Sequence, residues 1–461
     1  MNTQLETLVR PQLMLVNQHL PRGLGDGLTL RFATPADVEV LAQFNGRIHG
    51  EERPDHFDPM VAAWTRDFCS DQHPTCGPSN VTLVEDTRTG KVVSSVCLIP
   101  QTWTYAGIPF EVGRPEAVGT DPDYRRRGLV RAQFEVLHAK SEAMGHLVQG
   151  ITGIPWYYRQ FGYEYALDLG GGRFTYLNGI PSLKEGETEP YRLRPMTPPT
   201  LRDDLPFVKA LYEQDCARSL VTCPRPDWLW NTMLGWYSAD SFERRNFQII
   251  ETDQGRAVGY LAPNRELWDD IFIIDELAVV EGQSLRAVLP SVLRALEPFA
   301  KAEAAKQNKS LRVLFWRLGR EHPVFDAAPE LAQKPRLPYG WYIRVADVPR
   351  FLMHIAPVLE ARLARSTMTG HTGEVKISQY KGGLKMIWDK GRLANVESWK
   401  PIVGKRDDAC FPPLVFLQLL FGRASIMELR TFYPDCWASD EATVLLEALF
   451  PKAYSCVNPM G

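Results

Sequence analysis

Apolar and polar positions alternate at 28–32 with the period of a half-buried strand, and further runs of strand character lie at 81–84, 92–99, 102–105 and 110–118. Turn signals separate them, Arg88-Thr89-Gly90 ahead of the 92–99 run and Ala106-Gly107 ahead of the 110–118 run. Thr34-Pro35-Ala36-Asp37 offers a cap and a first-turn proline for a helix running to about Gly46. A 3.6-residue period starts after Gly128, with Leu129, Val130, Phe134 and Leu137 on one face and Gly145 placed as a C-cap. Residues 147–151 then return to strand character.

After a polar, glycine- and proline-containing stretch at 181–190, much of this order repeats. Strands are expected at 191–194, 247–250, 257–262, 271–280, 311–316 and 342–345, with helices at 203–216 and from Ser284 onward. From Arg350 the pattern changes to a helix over 351–363, two strands within 373–387, an apolar helix over 412–421 and a last helix over 441–449. The chain has 461 residues, too many for one ordinary core, and the pattern predicts domains at 1–180, 181–348 and 349–461 of mixed α+β and α/β class. The stretch through Asp26-Gly27 reads as a leader packed on the first domain or an oligomer contact.

Composition narrows the function classes. A formal net charge of −3 gives no bulk field for nucleic acid. Eight cysteines without C-x-x-C spacing read as reduced thiols, and neither a signal peptide nor a long apolar segment is evident, so a cytoplasmic protein with no membrane partner is expected. Nine dispersed histidines lack ligand spacing, and no metal site is expected.

The chemistry concentrates between Glu116 and Tyr163. A strand-like run ending near Val118 enters the turn Asp121-Pro122-Asp123, then Arg125-Arg126-Arg127, then Gly128 and the helix. The first amides of a helix lack intrahelical partners and carry the positive end of its dipole, so an anion docked there gains several hydrogen bonds. Gly128 lets backbone approach phosphate oxygens closely, and three guanidinium groups surround the position. One helix and one strand later comes Tyr157-Tyr158-Arg159-Gln160-Phe161-Gly162-Tyr163.

On these residues the chain resembles the GCN5-related N-acetyltransferase (GNAT) superfamily. Its acyl-CoA loop, R/Q-x-x-G-x-G/A, is matched by Arg125 and Gly128, with Val130 departing from the small third residue. Its tyrosine four residues before a glycine-aromatic pair is matched by Tyr158, Gly162 and Tyr163. The overall order resembles the Eis (enhanced intracellular survival) type. That implies tandem GNAT folds, each a mixed central sheet flanked by helices, with a sterol-carrier-like α+β domain at 349–461, in a homo-oligomer, a hexamer. The second copy lacks the arginine run and places Glu281 where a phosphate would need positive potential, so it is expected to be structural.

The resemblance implies acetyl-CoA as co-substrate, held by Val118, Gly119, Thr120, Arg125, Arg126, Arg127, Gly128, Leu129 and Val130. Tyr158 is expected to protonate the departing thiolate, because a phenol with a pKa near ~10 keeps its proton at working pH. Two groups are candidates to take the amine proton: Glu116, whose bland alternative is a pairing with Arg114, and, by the Eis resemblance, the terminal carboxylate of Gly461. The N–H of Val118 is expected to polarise the thioester carbonyl. Trp64, Asp55 and Trp103 are expected to line a pocket for the acceptor amine, whether aminoglycoside-like, polyamine-like or a lysine side chain. The competing reading is a non-catalytic acyl-CoA or lipid binder that uses the sterol-carrier-like domain.

Overall fold

A computed structural model describes residues 20–457 apart from 51–54, 242, 265–266 and 403–406, and leaves aside the side chain of Trp236. The alternating runs of the first third become one mixed sheet. Among the described residues its strands run Arg22–Gly25, Leu28–Phe32, Val81–Asp86, Lys91–Tyr105, Ile108–Thr120, Val148–Ile151, Tyr339–Arg344 and Glu164–Leu169. The expected strands at 92–99 and 102–105 are one continuous element. It pairs along its length with Ile108–Thr120 across a two-residue turn in which Ala106 and Gly107 both have positive φ. The helix Leu129–Ala143 buries Leu129, Phe134, Val136 and Leu137 against this sheet. The residues before Gly27 contribute the edge strand Arg22–Gly25, and residues 1–19 lie outside the described part.

The boundary expected at 180 does not coincide with the sheets. Gly172–Tyr176 pairs with Val313–Trp316 in a second sheet, and Tyr339–Arg344, expected in the second domain, inserts between Val148–Ile151 and Glu164–Leu169 of the first. The first half gives one strand to the second sheet, and the second half gives the first sheet both Tyr339–Arg344 and the short Val221–Thr222, which pairs with Lys91–Tyr105. Alternation reveals that a segment is a strand but not which edge it will join, since partner choice depends on contacts far away in sequence.

The second sheet runs Lys334–Arg336, Gly172–Tyr176, Val313–Trp316, Ile271–Val279, Ala257–Pro263, Gln248–Thr252 and Tyr191–Pro195, with the helix Leu285–Lys306 packed on it. A third sheet is formed by Arg392–Trp399, Gly383–Asp389, Gly373–Ser378, Ala409–Cys410 and Trp437–Ala438. The helix expected at 351–363 breaks into Val348–His354 and Ala356–Ala364, with Pro357 opening the second piece. Of the apolar run 412–421 only Phe416–Leu420 is helical, following Pro412-Pro413 and a left-handed Leu414. The helix Pro59–Phe68, started by the Asp58 side chain accepting from the N–H groups of Met60 and Val61, was not anticipated.

One apolar core runs without a break from the first sheet into the last third of the chain. Trp103, Phe110 and Trp341 meet Phe351, Phe421 and Leu449 there, and the Tyr105 hydroxyl donates to the Leu420 carbonyl at 2.8 Å. Each such large side chain taken from water contributes about 2–3 kcal/mol, so the last third is bound tightly to the first sheet. No helix among the described residues is long and apolar enough to cross a membrane.

Candidate active site

The strand Ile108–Thr120 carries the site. Its parallel pairing with Val148–Ile151 comprises Val112 opposite Val148 and Gly113 opposite Gln149, and then the strands diverge. Beyond that point peptide groups on this side of the strand face a cleft rather than a ladder, which makes them available to an extended ligand. On its other side the register skips between Ser95 and Cys97, and Ala117 takes a φ of 50°. A non-glycine residue in this region is strained and marks a bulge that re-aims neighbouring peptide groups. Val118, Gly119 and Thr120 complete the strand, and Gly119 packs closely on Phe44 and Ile48.

At the end of this strand the chain turns into the helix Leu129–Ala143. The Asp121 carboxylate accepts from the N–H of Asp123, Arg126 has a φ of 66° and Gly128 a φ of 75°. No side chain caps the helix, and a Cβ placed on Gly128 would meet nothing within 4 Å. Its first amides are therefore left for an external acceptor. Arg125, Arg126 and Arg127 are exposed around it; the Arg125 Nε donates to the Thr120 carbonyl at 3.3 Å, and Arg127 lies over the Tyr124 ring at 5.0 Å. Leu129 is buried beneath the loop, and Val130 is half-buried against the cluster that holds Tyr158. These residues form a cradle fit for a diphosphate: strongly cationic, built of free amides, and clear of side chains at its centre.

Tyr158 lies in the short turn Tyr157–Phe161, which Gly162 closes with a φ of 88°. It is 2% exposed and packs edge-on against Tyr157 and Tyr342 beside Phe134. Burial, reinforced by the negative charge of Glu116, holds its phenol pKa well above the ordinary value. It therefore keeps its proton at any working pH. Tyr163 is fully buried and hydrogen-bonds the His138 Nε2 at 2.9 Å, a packing role, while Tyr157 is half-buried.

Past the bulge the cleft opens into a cavity of about 810 Å³ between the two halves. Glu116, Ala117, Arg114 and Trp64 form its inner wall. Glu116, expected either as the base or as the partner of Arg114, lies on the cavity wall and accepts from the Arg114 Nη2 at 2.5 Å. Two other expectations fail. Trp103 is fully buried, with its ring against Trp341 and its edge over the bare Cα of Gly150, so it belongs to the core. Asp55 is exposed, accepts from the N–H of Phe57 at 3.3 Å, and stands outside the cavity lining.

Sequence reasoning missed the opposite wall. Arg225, Glu243, Arg245, Asp275, Glu276, Arg317, Arg336, Trp268 and Trp341 reach the cavity from the second half and the exchanged strand. Arg225 forms a two-toothed pair with Glu276 at 2.7 and 3.1 Å, Arg317 bonds Asp275 at 2.6 Å, and Arg245 lies 4.0 Å from Glu243. The Arg225–Glu276 partners stand 51 residues apart, and no local pattern announces them.

Gly461 lies outside the described residues. The segment leading toward it threads between the halves: the Leu220 N–H donates to the Tyr454 carbonyl, Cys456 bridges Asp168, and the Trp341 Nε1 donates to the Val457 carbonyl at 3.1 Å. Trp341 is itself part of the cavity wall.

Residues 29–166 match the family model described as an acetyltransferase (GNAT) domain. No curated protein matches the chain in sequence. Among solved structures, the chain is similar to a conserved protein of unknown function from Enterococcus faecalis V583 described as a probable N-acyltransferase, with 15% identity, 94% of this chain and 99% of that chain covered, and a TM-score of 0.65. A GCN5-related N-acetyltransferase from Anabaena variabilis follows at 15% identity, 93% and 99% coverage and a TM-score of 0.59. Eis1 from Mycobacterium abscessus gives 14% identity, 93% and 99% coverage and 0.56. At such identities the likeness is one of fold, and the fold is the mixed α/β one of these proteins. The family match assigns the chemistry: the chain is an acyltransferase of the N-acetyltransferase class.

Proposed function

We propose that the chain moves an acetyl group from acetyl-CoA to a primary amine bound in the cavity between the halves. The observation that carries this is the diverging strand Ile108–Thr120 running straight into an uncapped, arginine-ringed helix start. In this reading the diphosphate rests on the Arg125–Arg127 loop and the first amides after Gly128. The pantetheine arm runs along Val118, Gly119 and Thr120, and the N–H beside the Ala117 bulge, that of Val118, polarises the thioester carbonyl.

A free amine with a pKa near ~10 is protonated almost completely at neutral pH, so a base must take its proton before attack. Glu116 is that base in our reading, because it lies on the cavity wall next to the bulge with Arg114 fixing one of its oxygens. The amine nitrogen attacks the thioester carbon, the oxyanion collapses, and the sulfur leaves with the proton of Tyr158. Replacing Tyr158 by Phe removes that proton and is expected to lower thiol release by about 10²- to 10⁴-fold while coenzyme A still binds. An unchanged rate refutes the assignment.

A second reading of the base rests on the Trp341–Val457 hydrogen bond, which ties the last described residue to the cavity wall. There the carboxylate of Gly461 accepts the proton. Glu116→Gln and removal of residues 458–461 separate the two, since only loss of the true base flattens the pH–rate profile on its acid side. The second half acts as a degenerate GNAT copy and 349–461 as a sterol-carrier-like domain that braces the first sheet. Its interior is filled by Phe351, Met386, Trp388, Phe416 and Leu446, which speaks against the lipid-binding alternative. The hexamer belongs to the same reading, and sedimentation tests it.

A further inference from the structure

The charge inventory of the cavity bears on the acceptor. An acceptor with several ammonium groups needs carboxylates to spare, and the described lining has none. Glu116, Asp275 and Glu276 are each hydrogen-bonded to an arginine, and Glu243 has one 4.0 Å away. Among the described residues the surplus is positive. Arg336, on the exposed edge strand Lys334–Arg336 at the cavity mouth, has no carboxylate partner among the described residues. Its guanidinium lies over Trp268 at 5.0 Å and Phe315 at 5.4 Å, and Arg317 covers the same indole at 5.3 Å. The two ring contacts hold Arg336 at the cavity wall with no carboxylate bound among the described residues, and a guanidinium can receive a carboxylate on two donors. Deeper in, Nε and Nη1 of Arg114 are buried without an acceptor among the described residues.

We infer that the acceptor carries a carboxylate as well as the amine, that Arg336 receives this carboxylate at the mouth, and that the amine end extends inward past Trp64 to Glu116. This rests on the acetyltransferase reading above and selects, within it, amino acids over polyamines and aminoglycosides. The exposed part of Trp268 beside Arg336 would cover the apolar part of such a molecule.

The test pairs each ω-amino acid with the diamine of equal chain length over a series of lengths. Each is assayed with acetyl-CoA by thiol release, with acetyl-CoA binding measured alongside by calorimetry. The amino acid of the best pair is expected to exceed its diamine by about tenfold in kcat/KM at low salt, the gap shrinking as salt screens an exposed charge. Arg336→Glu, on an exposed strand where folding is not at stake, is expected to narrow or invert that ratio. A wild-type preference for diamines, a ratio unmoved by Arg336→Glu, or acetyl-CoA binding without turnover in either series overturns the inference. Diamine turnover leaves the acetyltransferase reading standing, whereas failure both to bind acetyl-CoA and to release thiol with any amine defeats that reading itself.

Discussion

Each half sends a strand out of its sheet into a glycine-containing turn and then a long helix, and the two turns are opposite in character. In the first, Ile108–Thr120 leads through three arginines to Gly128 and a helix with no side-chain cap. In the second, Ile271–Val279 leads through Glu281-Gly282-Gln283 to Ser284, whose hydroxyl accepts from the Ala287 N–H at 3.2 Å. The second helix caps one of its first amides with its own side chain and keeps a negative charge nearby. The first leaves its amides open and surrounds them with cations. Where the second strand leaves its parallel partner Val313–Trp316, Asp275 and Glu276 are paired with Arg317 and Arg225 in the wall of the shared cavity. The same backbone course becomes an anion cradle or a structural joint according to whether the helix cap is supplied by the chain or left to a ligand.

The largest test of this contrast removes the cations. Arg125, Arg126 and Arg127 changed together to Ala are expected to raise the KM for acetyl-CoA by about 100-fold and to flatten its salt dependence. Glu281→Arg in the second turn is expected to create no coenzyme A binding by calorimetry, because the Ser284 side chain already occupies the Ala287 amide. Gly128→Val places a branched side chain at a left-handed φ over the open amides and is expected to raise the same KM about tenfold, on top of strain of about 1–2 kcal/mol. Gly282→Val, also at positive φ, is expected to cost stability alone.

A third prediction concerns both halves. Burial lowers the pKa of His146 to about 4 and of His138 and His322 to about 3. A histidine depressed in the folded state contributes stability that is complete above its unfolded value near 6.5 and is lost as pH falls through the folded pKa. Tm is therefore expected to fall steadily between pH 6.5 and 3, and a flat profile there contradicts the burial of these rings. The smallest effect is that of Ser284→Ala, which is expected to lower stability by about 1 kcal/mol through loss of the cap and to leave the acetyl-CoA KM unchanged.

Much of the cradle was legible because it is local. The Asp121-Pro122-Asp123 turn, the arginine run, Gly128 and the stripe on the following helix are all defined by residues a few positions apart. The position of Tyr158, one helix and one strand further along and ahead of Gly162, was legible for the same reason. The acceptor side was not. Trp103 and Trp64 look alike in sequence, yet the first fills the space over Gly150 and the second faces the cavity. Arg336 reads as one more surface charge until the sheet brings Trp268 beneath it.

By itself the sequence determined the strand and helix periods and the arginine-rich turn with its open helix start, since short-range sterics and helix-end electrostatics need no distant partner. Tertiary structure alone decided that Tyr339–Arg344 and Gly172–Tyr176 change places, and that Arg225, Arg317 and Trp268 face Glu116 across one cavity. Strand partners and ion pairs between distant segments are chosen by packing of the whole chain, where many pairings satisfy the same local pattern and burial selects among them.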